Sequence, residues 1–417
     1  MNVLVLGNGG REHSICLALK KSKILKRIWC YPGNAGTNSV CNSLKLKLDT
    51  FEKICDFCKR NNVNLVIPGS EEYLEKGIVD FLKLNSISVL GPTKEAAKLE
   101  SSKIFTKRIS NLSNIKTAKS IVYNNIDEAL EKIKNQKFPL VLKLDSLAAG
   151  KGVIIAKNFQ EAKVFLNNVK DGKIGNRKTK VLKEELIKGE EASFFFIADG
   201  KTAKYIGSAK DYKRVGDGNI GLNTGGMGCI SPSPLENKKS IRTILKEIIN
   251  PTLKTMNDLG YPYHGILYAG VMFTKKGIFL IEYNVRLGDP ECQTILDRLE
   301  TDFLKICLNT EKKLLKNANI NLSKKKSVCV VIASKGYPEQ YKNGLQIDGL
   351  KRNLNTNDET IIHAGTIKKR NKFFTNGGRV LNIIVKSKNL ELAIKNVYKK
   401  CKTISWKGSF YRNDIGK

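Results

Sequence analysis

Val3-Leu4-Val5-Leu6-Gly7-Asn8-Gly9-Gly10-Arg11-Glu12 runs from an apolar tetrad into a glycine-rich turn and on into a helical pattern. Four apolar residues bounded by glycine read as a buried strand, and the stretch at 12–21 reads as the helix after it. The unit repeats outward. Strands are expected at 28–31 and 64–67, helices at 51–61 and 74–83, and a last strand at 88–90 before Gly91-Pro92. This alternation implies a doubly wound parallel sheet, with ligands at the carboxyl ends of the strands.

The turn narrows the ligand. A dinucleotide fingerprint would need glycine at 12, where Glu12 stands. It would also need an acidic residue after the second strand, where Tyr31-Pro32-Gly33-Asn34-Ala35-Gly36 is found. Nicotinamide dinucleotides are therefore excluded. A glycine turn opening a helix still offers free N–H groups and the helix dipole to a single phosphate.

Near Glu100 the character changes. A helix carrying Lys103 and Lys107 begins at about 101, and strands are expected at 139–144, 153–156, 181–186 and 192–198. Between the first two lies Ser146-Leu147-Ala148-Ala149-Gly150-Lys151-Gly152. Two strands joined by a small glycine-containing loop form a flap, and no G-x-x-x-x-G-K-[ST] occurs. Such a flap can close over a triphosphate with its N–H groups while Lys143 supplies fixed charge. The segment 216–231 is glycine-dense, and its neighbours Lys210-Asp211-Tyr212-Lys213-Arg214 mark it as an ordered substrate loop.

Ile281-Glu282-Tyr283-Asn284-Val285-Arg286-Leu287-Gly288-Asp289-Pro290-Glu291 is the densest chemistry in the chain. Glu282 and Asn284 are two apart, so a strand projects both from one face. Paired oxygen ligands suit Mg2+ (or Mn2+), which completes its octahedron with water and phosphate. Arg286 continues that face and can hold an anion bidentately. A helix then runs to about 308, a Lys/Asn-rich boundary spans 309–326, and the remainder is strand-rich with a final helix near 390–401.

Composition sets limits. No run of about 18 apolar residues appears, so no membrane span is expected. The chain opens directly into a strand, so no signal peptide is expected and cytoplasm is the default. Ten scattered cysteines include one close pair, Cys55 and Cys58, on an expected helix with no second pair at zinc spacing. They read as reduced and structural. The formal charge of +34 comes from 13 arginines and 60 lysines spread among many Asn and Ile. That spread fits codon bias better than a selected patch, so no specific nucleic-acid partner is expected, only weak, salt-dependent adhesion to polyanions.

Taken in order, these pieces resemble an ATP-grasp ligase, and within that superfamily the phosphoribosylamine–glycine ligase (glycinamide ribonucleotide synthetase) family. The resemblance rests on GNGGREH at 7–13, PGNAGT at 32–37, GPTKEAAKLESSKIFTK at 91–107 and LAAGKGV at 147–153. KDYKRVGDG at 210–218, NTGGMG at 223–228, LYAGVM at 267–272 and EYNVRLGDPE at 282–291 continue it. HAGT at 363–366, TNGGRVL at 375–381 and RNDIG at 412–416 close it. The resemblance implies an α/β protein with three parts. These are an N-terminal doubly wound pre-ATP-grasp domain at 1–101, a two-lobed α+β ATP-grasp domain at 102–325 and a small strand-rich domain at 326–417. The flap lobe falls at about 118–192.

The implied reaction joins glycine to 5-phosphoribosylamine through glycyl phosphate, with ATP and Mg2+ (or Mn2+), in de novo purine biosynthesis. The implied partners are small molecules, and a monomer is expected. Carried over position by position, Lys103, Lys143 and the loop Gly150, Lys151, Gly152 meet the phosphates. Glu184, Glu185 and Leu186 meet adenine, Glu190 or Glu191 the ribose, and Glu282 and Asn284 the metal. Many ATP-grasp enzymes have a further acidic ligand about a dozen residues upstream of that pair, where Gly270 stands here. Arg286, Asp289, Asp211 and Lys213 are the candidates for glycine and the acyl phosphate. Gly9, Gly10, Arg11, Glu12, Asn34, Ala35, Gly36, Glu71 and Arg379 would receive phosphoribosylamine.

The chain departs from the family pattern at Ser70, Tyr212, Leu222 and Leu287. Tyr212 replaces a usual histidine, and a phenol is a poor base at neutral pH. The alternatives are another ATP-grasp carboxylate–amine ligase, a purine-pathway carboxylase, or a polyanion-binding protein that has lost catalysis.

Overall fold

The computed structural model describes residues 1–44, 46–148, 151–350 and 355–417. Strand Asn2–Gly7 is the centre of a three-stranded parallel sheet, between Arg27–Pro32 and Leu65–Pro68. Its alternate side chains enter different cores. Val3 and Val5 pack with Ile15 and Leu19 of helix Gly10–Lys20, while Leu4 and Leu6 pack with Ile54 and Phe57 of helix Phe51–Arg60. That two-sided burial explains the continuous apolar run. The strand expected at 88–90 reduces to a single parallel bridge, Val66↔Val89. The helix expected at 74–83 is two, Glu71–Glu75 and Ile78–Leu84, because Gly77 at φ 86° turns the chain left-handed between them.

The flap lobe is a four-stranded antiparallel sheet in the order Ser120–Tyr123, Val181–Glu185, Leu140–Leu144, Val153–Ala156. Helices Ile126–Ile133 and Phe159–Lys170 close a separate core over it, built on Ile126, Ile133, Leu142, Leu144 and Phe165. Ala149 and Gly150 of the expected flap loop lie outside the described residues. Its flanks pair as Lys143↔Val153.

One nine-stranded sheet organises the rest. Its order is Gly277–Asn284, His264–Thr274, Glu190–Asp199, Ala203–Asp211, Gly228–Ser231, Lys326–Ser334, Arg379–Ser387, Glu359–His363, with Ser409–Phe410 beside Lys326–Ser334. The join between Gly228–Ser231 and Lys326–Ser334 is antiparallel, with Cys229 opposite Cys329. A single sheet thus runs from the strand carrying Glu282 into the last ninety residues. The helix expected after 291 is two, Glu291–Arg298 and Phe303–Glu311. All ten cysteines are free, Cys55 and Cys58 buried among them. No helix among the described residues is long and apolar enough to cross a membrane.

Candidate functional site

Strand Gly277–Asn284 slips register against its neighbour. Gly270 opposes Glu282, but Val271 opposes Leu280, so Ile281 is the extra residue of a bulge. Leu280 and Tyr283 both stay in the core. Glu282 and Asn284 share the opposite, half-buried face. The Ile281 carbonyl accepts from Lys143 Nζ at 3.2 Å.

Cations gather around this pair. Lys143 Nζ lies 2.8 Å from Glu184 Oε2, and Lys107 Nζ lies 2.8 Å from Glu184 Oε1. Lys213 Nζ lies 2.6 Å from Glu191 Oε1 and 3.8 Å from Glu282 Oε1. Lys103 donates to the Ser146 carbonyl at 2.8 Å. Burial alone would raise the Glu282 carboxyl, but Lys213, Lys143, Lys103 and Arg286 together hold it below its usual range. An ionised carboxylate beside a carboxamide suits a hard divalent cation, with phosphate and water supplying the remaining oxygens. Among the described residues no cluster of three or more His, Cys, Asp or Glu could form a cage.

Arg286 anchors the next part. Its Nη2 lies 2.8 Å from Glu100 Oε1 and its Nε 3.1 Å from Glu71 Oε2, while Glu71 also faces Arg11 Nη1 at 3.7 Å. Glu100 Oε2 accepts the Val285 N–H at 2.8 Å, which fixes the chain just before Arg286. Burial opposes ionisation of Glu71, yet Arg286 and Arg11 lower its carboxyl to about 2. Glu100 is raised by burial, despite Arg286.

Asp211 Oδ1 is buried and has no hydrogen-bond partner among the described residues. Burial and then the neighbouring Glu291 push its carboxyl well up. Glu291, 4% exposed, is itself raised by burial. Gly226 lets the chain pass this carboxylate: its φ is 109°, and a Cβ there would sit 2.7 Å from Asp211 Oδ1. Arg379 closes the other side, donating to the carbonyls of Gly225, Gly226 and Asp289 at 2.7, 3.3 and 2.6 Å. Asp289 Oδ1 lies 3.5 Å from Arg379 and accepts Gln293 Nε2 at 2.7 Å. Its carboxyl is held low by Arg379 and Arg11 against the effect of burial.

Tyr212 points elsewhere. It lies between strands Ala203–Asp211 and Arg214–Gly216 and packs into the C-terminal core, where its hydroxyl accepts the Gly416 N–H at 3.0 Å. Burial raises the phenol further. The phenol is thus engaged by the C-terminal segment.

The glycine turn is more occupied than its sequence suggests. Glu12 Oε2 accepts the Gly9 N–H at 2.6 Å, Asp289 Oδ2 accepts the Arg11 N–H at 3.3 Å, and Glu12 Oε1 pairs with Arg11 Nε at 2.6 Å. The expected cradle of free N–H groups is therefore corrected: carboxylates already hold two of them. Asn34 is likewise spent on backbone. Its Nδ2 donates to the carbonyls of Asn8, Gly9 and His363 at 2.8, 3.1 and 2.9 Å, and its Oδ1 accepts from Gly36 and Thr37. Ala35 N–H donates to Thr366 at 3.1 Å, so the 34–36 loop is stapled to the C-terminal segment.

The nucleotide-side residues separate by face. Glu191 shares the face of Ser193 and meets Lys213, whereas Glu190 shares the face of Ala192 and Phe194. Glu184 is buried by its two lysines, and Glu185 accepts the Lys119 N–H at 3.0 Å. Leu186 follows the end of strand Val181–Glu185. Lys151 is exposed and Gly152 buried, while Gly150 lies outside the described residues.

Profiles described as phosphoribosylglycinamide synthetase match in three parts: the N domain over 1–100, the ATP-grasp (A) domain over 101–292 and the C domain over 327–417. The chain belongs to the phosphoribosylglycinamide synthetase family. Phosphoribosylamine–glycine ligase of Brucella melitensis is 40% identical over 416 residues, covering 100% of this chain and 97% of that protein. That of Caldanaerobacter subterraneus subsp. tengcongensis is also 40% identical, covering 100% and 99%. The crystal structure of phosphoribosylamine–glycine ligase from Thermotoga maritima superposes with a TM-score of 0.85 at 32% identity, covering 100% of both chains. A biotin carboxylase domain from Hydrogenobacter thermophilus, solved with MgADP, reaches 0.75 at 16% identity over 98% of this chain and 91% of its own, which shows the shared fold alone.

Sequence reading of this family member missed Glu100 and Glu291 as site groups. Both had a signal. Glu100 sits on the buried stripe of helix Lys94–Ser101 with Ala96 and Ala97, where a carboxylate is out of place unless paired. Glu291 opens helix Glu291–Arg298 and reads as an ordinary first-turn acid until its burial is seen.

Proposed function

We propose that this chain ligates glycine to 5-phosphoribosylamine with ATP, through a glycyl phosphate, as a cytoplasmic enzyme of purine biosynthesis. The observation that carries this reading is the meeting of two environments at one strand end. A carboxylate–carboxamide pair ringed by Lys103, Lys143 and Lys213 lies next to Arg286, Asp211 and Glu291.

Glycine needs a cation for its carboxylate and anions for its ammonium. Arg286 suits the first, and Asp211 with Glu291, whose carboxyls burial holds up until a cation arrives between them, suits the second. A glycine carboxylate oxygen attacks the γ-phosphorus, the bond to the β-phosphate oxygen breaks, and ADP leaves. The lysines neutralise charge that moves onto the transferring and leaving oxygens. Glu282 and Asn284 would hold Mg2+, which supplies further neutralisation at the phosphates. The amine of phosphoribosylamine then attacks the acyl carbon, the bond to phosphate breaks, and the nitrogen loses a proton. No protein nucleophile is required, so positioning and exclusion of water carry the catalysis.

Glu191 is the better ribose candidate, since its face is that of Lys213 and Glu282. The phosphoribosylamine pocket lies where the 7–12 turn, the 34–36 loop and His363 converge. The partition at 1–101, 102–325 and 326–417 is supported by the family limits at 100 and 327 and by the separate flap core. Ten free cysteines fit a reducing compartment.

Phosphate release from ATP should require glycine and phosphoribosylamine together. Equal release with another carboxylate in place of glycine, or with neither co-substrate, would overturn the assignment.

A further inference from the structure

Lys213 is followed by an exposed hairpin with few bonds of its own, among them Arg214 Nη1 to the Gly221 carbonyl at 2.8 Å. Strands Arg214–Gly216 and Ile220–Asn223 pair only at Arg214↔Asn223 and Gly216↔Ile220, with a register slip between. The turn Asp217–Asn219 is exposed throughout and carries positive φ at Gly218 and Asn219. Isolated two-stranded hairpins of this length are marginal in water.

What fixes it comes from nearly two hundred residues later. Arg412 Nη1 donates to the Arg214 carbonyl at 3.0 Å and to Asn219 Oδ1 at 3.2 Å. Asp414 Oδ2 accepts the Gly218 N–H at 2.9 Å, and both Asp414 oxygens take Arg412 at 2.7 Å. Asn413 gives its N–H to Asp217 Oδ1 at 2.7 Å and its Nδ2 to Asp217 Oδ2 at 3.0 Å. The Arg412 guanidinium also covers the Tyr212 ring, 5.2 Å from its centroid. The segment is itself anchored: Tyr398 hydroxyl donates to the Arg412 carbonyl and accepts the Ile415 N–H, both at 2.9 Å.

We infer that Arg412, Asn413 and Asp414 form a strap that positions Lys213, and with it the phosphate-transfer end of the glycine site. Thr224 holds the Lys213 carbonyl from within the loop, at 2.9 Å, and the strap holds the next carbonyl from outside. Lys213 is thereby fixed before substrate arrives, so its ordering is not charged against binding. The polar groups of the strap bond to the hairpin while Ile415, fully buried, supplies the packing of that segment. The substrate consequence rests on the ligase reading above; the holding of the hairpin does not.

The test uses the full chain with Asn413→Ala, whose side chain is exposed, and Asp414→Asn. Amide exchange in 214–223 should accelerate about tenfold or more with little change in global urea stability, the signature of a local opening. kcat/KM for glycine should fall about tenfold while KM for phosphoribosylamine stays within about twofold. Unchanged exchange in 214–223 overturns the strap. So does a rise of all KM values together with a loss of global stability, which would mark a merely structural role. Accelerated exchange with unchanged glycine kinetics overturns the positioning of Lys213. If the wild-type chain shows no glycine-dependent phosphate release, the ligase reading has failed, and exchange alone decides the strap. Should Asp414→Asn fail to fold, Asn413→Ala carries the test.

Discussion

A carboxylate that stays ionised in a half-buried site must be outnumbered by cations, and Glu282 is. Lys213, Lys143, Lys103 and Arg286 all act on it, so removing its charge weakens the balance of all four cations and removes a proposed metal ligand. Glu282→Gln and Asn284→Ala should therefore raise the Mg2+ concentration for half-maximal activity by at least about 10–100-fold, the range seen for losing even an outer-shell partner. A metal titration of turnover checks this, and an unchanged midpoint would remove both residues as ligands. Tyr212→Phe should behave differently. It deletes the acceptor of the Gly416 N–H, far from Asp211, so stability should fall by about 1 kcal/mol with kcat and its pH profile unchanged. A pH profile that shifts would return the phenol to the chemistry. The period-two spacing made the common face of Glu282 and Asn284 legible. The bulge at Ile281 was not, because the pairing with Gly270 and Val271 sets it. The direction of Tyr212 was not legible for a related reason: the sequence names the residue, and only packing against the C-terminal segment decides which way it faces.

At the scale of elements, helix Gly10–Lys20 and strand Glu359–His363 meet through two histidines. His13 Nδ1 accepts the His363 N–H at 2.9 Å, and the rings lie 5.8 Å apart. Burial, and then His363, lower His13 to about 3, so it is neutral when folded. Its ordinary value is about 6.5. The unfolded chain therefore binds the proton first, and stability present above pH 6.5 is lost as pH falls toward 3. At pH 5 the loss from this residue alone is about 2 kcal/mol. His13→Gln keeps an acceptor without a titration, so urea midpoints at pH 7 and pH 5 should lie closer together than in the wild type. An equal gap would show that other groups govern the acid limb. The helix was legible because its pattern is local, and the strand only as part of a strand-rich remainder, but their contact joins residues 350 apart. The same limit split the helix expected at 74–83, where a lone glycine inside a helical pattern did not reveal its handedness.

For the whole molecule, the decisive feature is one sheet shared by the central and C-terminal parts. No local pattern discloses which strand edge meets which, so the join of Gly228–Ser231 to Lys326–Ser334 escaped the sequence, where 216–231 reads as a substrate loop and only a strand-rich remainder is expected beyond 326. The consequence is mechanical. Val330, Ile383 and Ile230 share one core across that seam, so the two parts should open together. The flap lobe has its own four-stranded sheet and its own core, joined to the remainder by a few polar contacts such as Lys143 with Ile281 and Ser102 with Asp145. Small units with few shared apolar contacts open at lower free energy than the global fold. Native-state hydrogen exchange should therefore show amides of Leu140–Leu144 and Val181–Glu185 opening below the free energy common to Glu190–Asp199, Lys326–Ser334 and Arg379–Ser387. Added ATP with Mg2+ should close that gap if Lys143 and Glu282 hold it as proposed, since a ligand contacting both units stabilises only the joined state. If the flap amides already exchange with the global unit in the absence of nucleotide, the lobe is not a separate body, and a closing flap loses its physical basis.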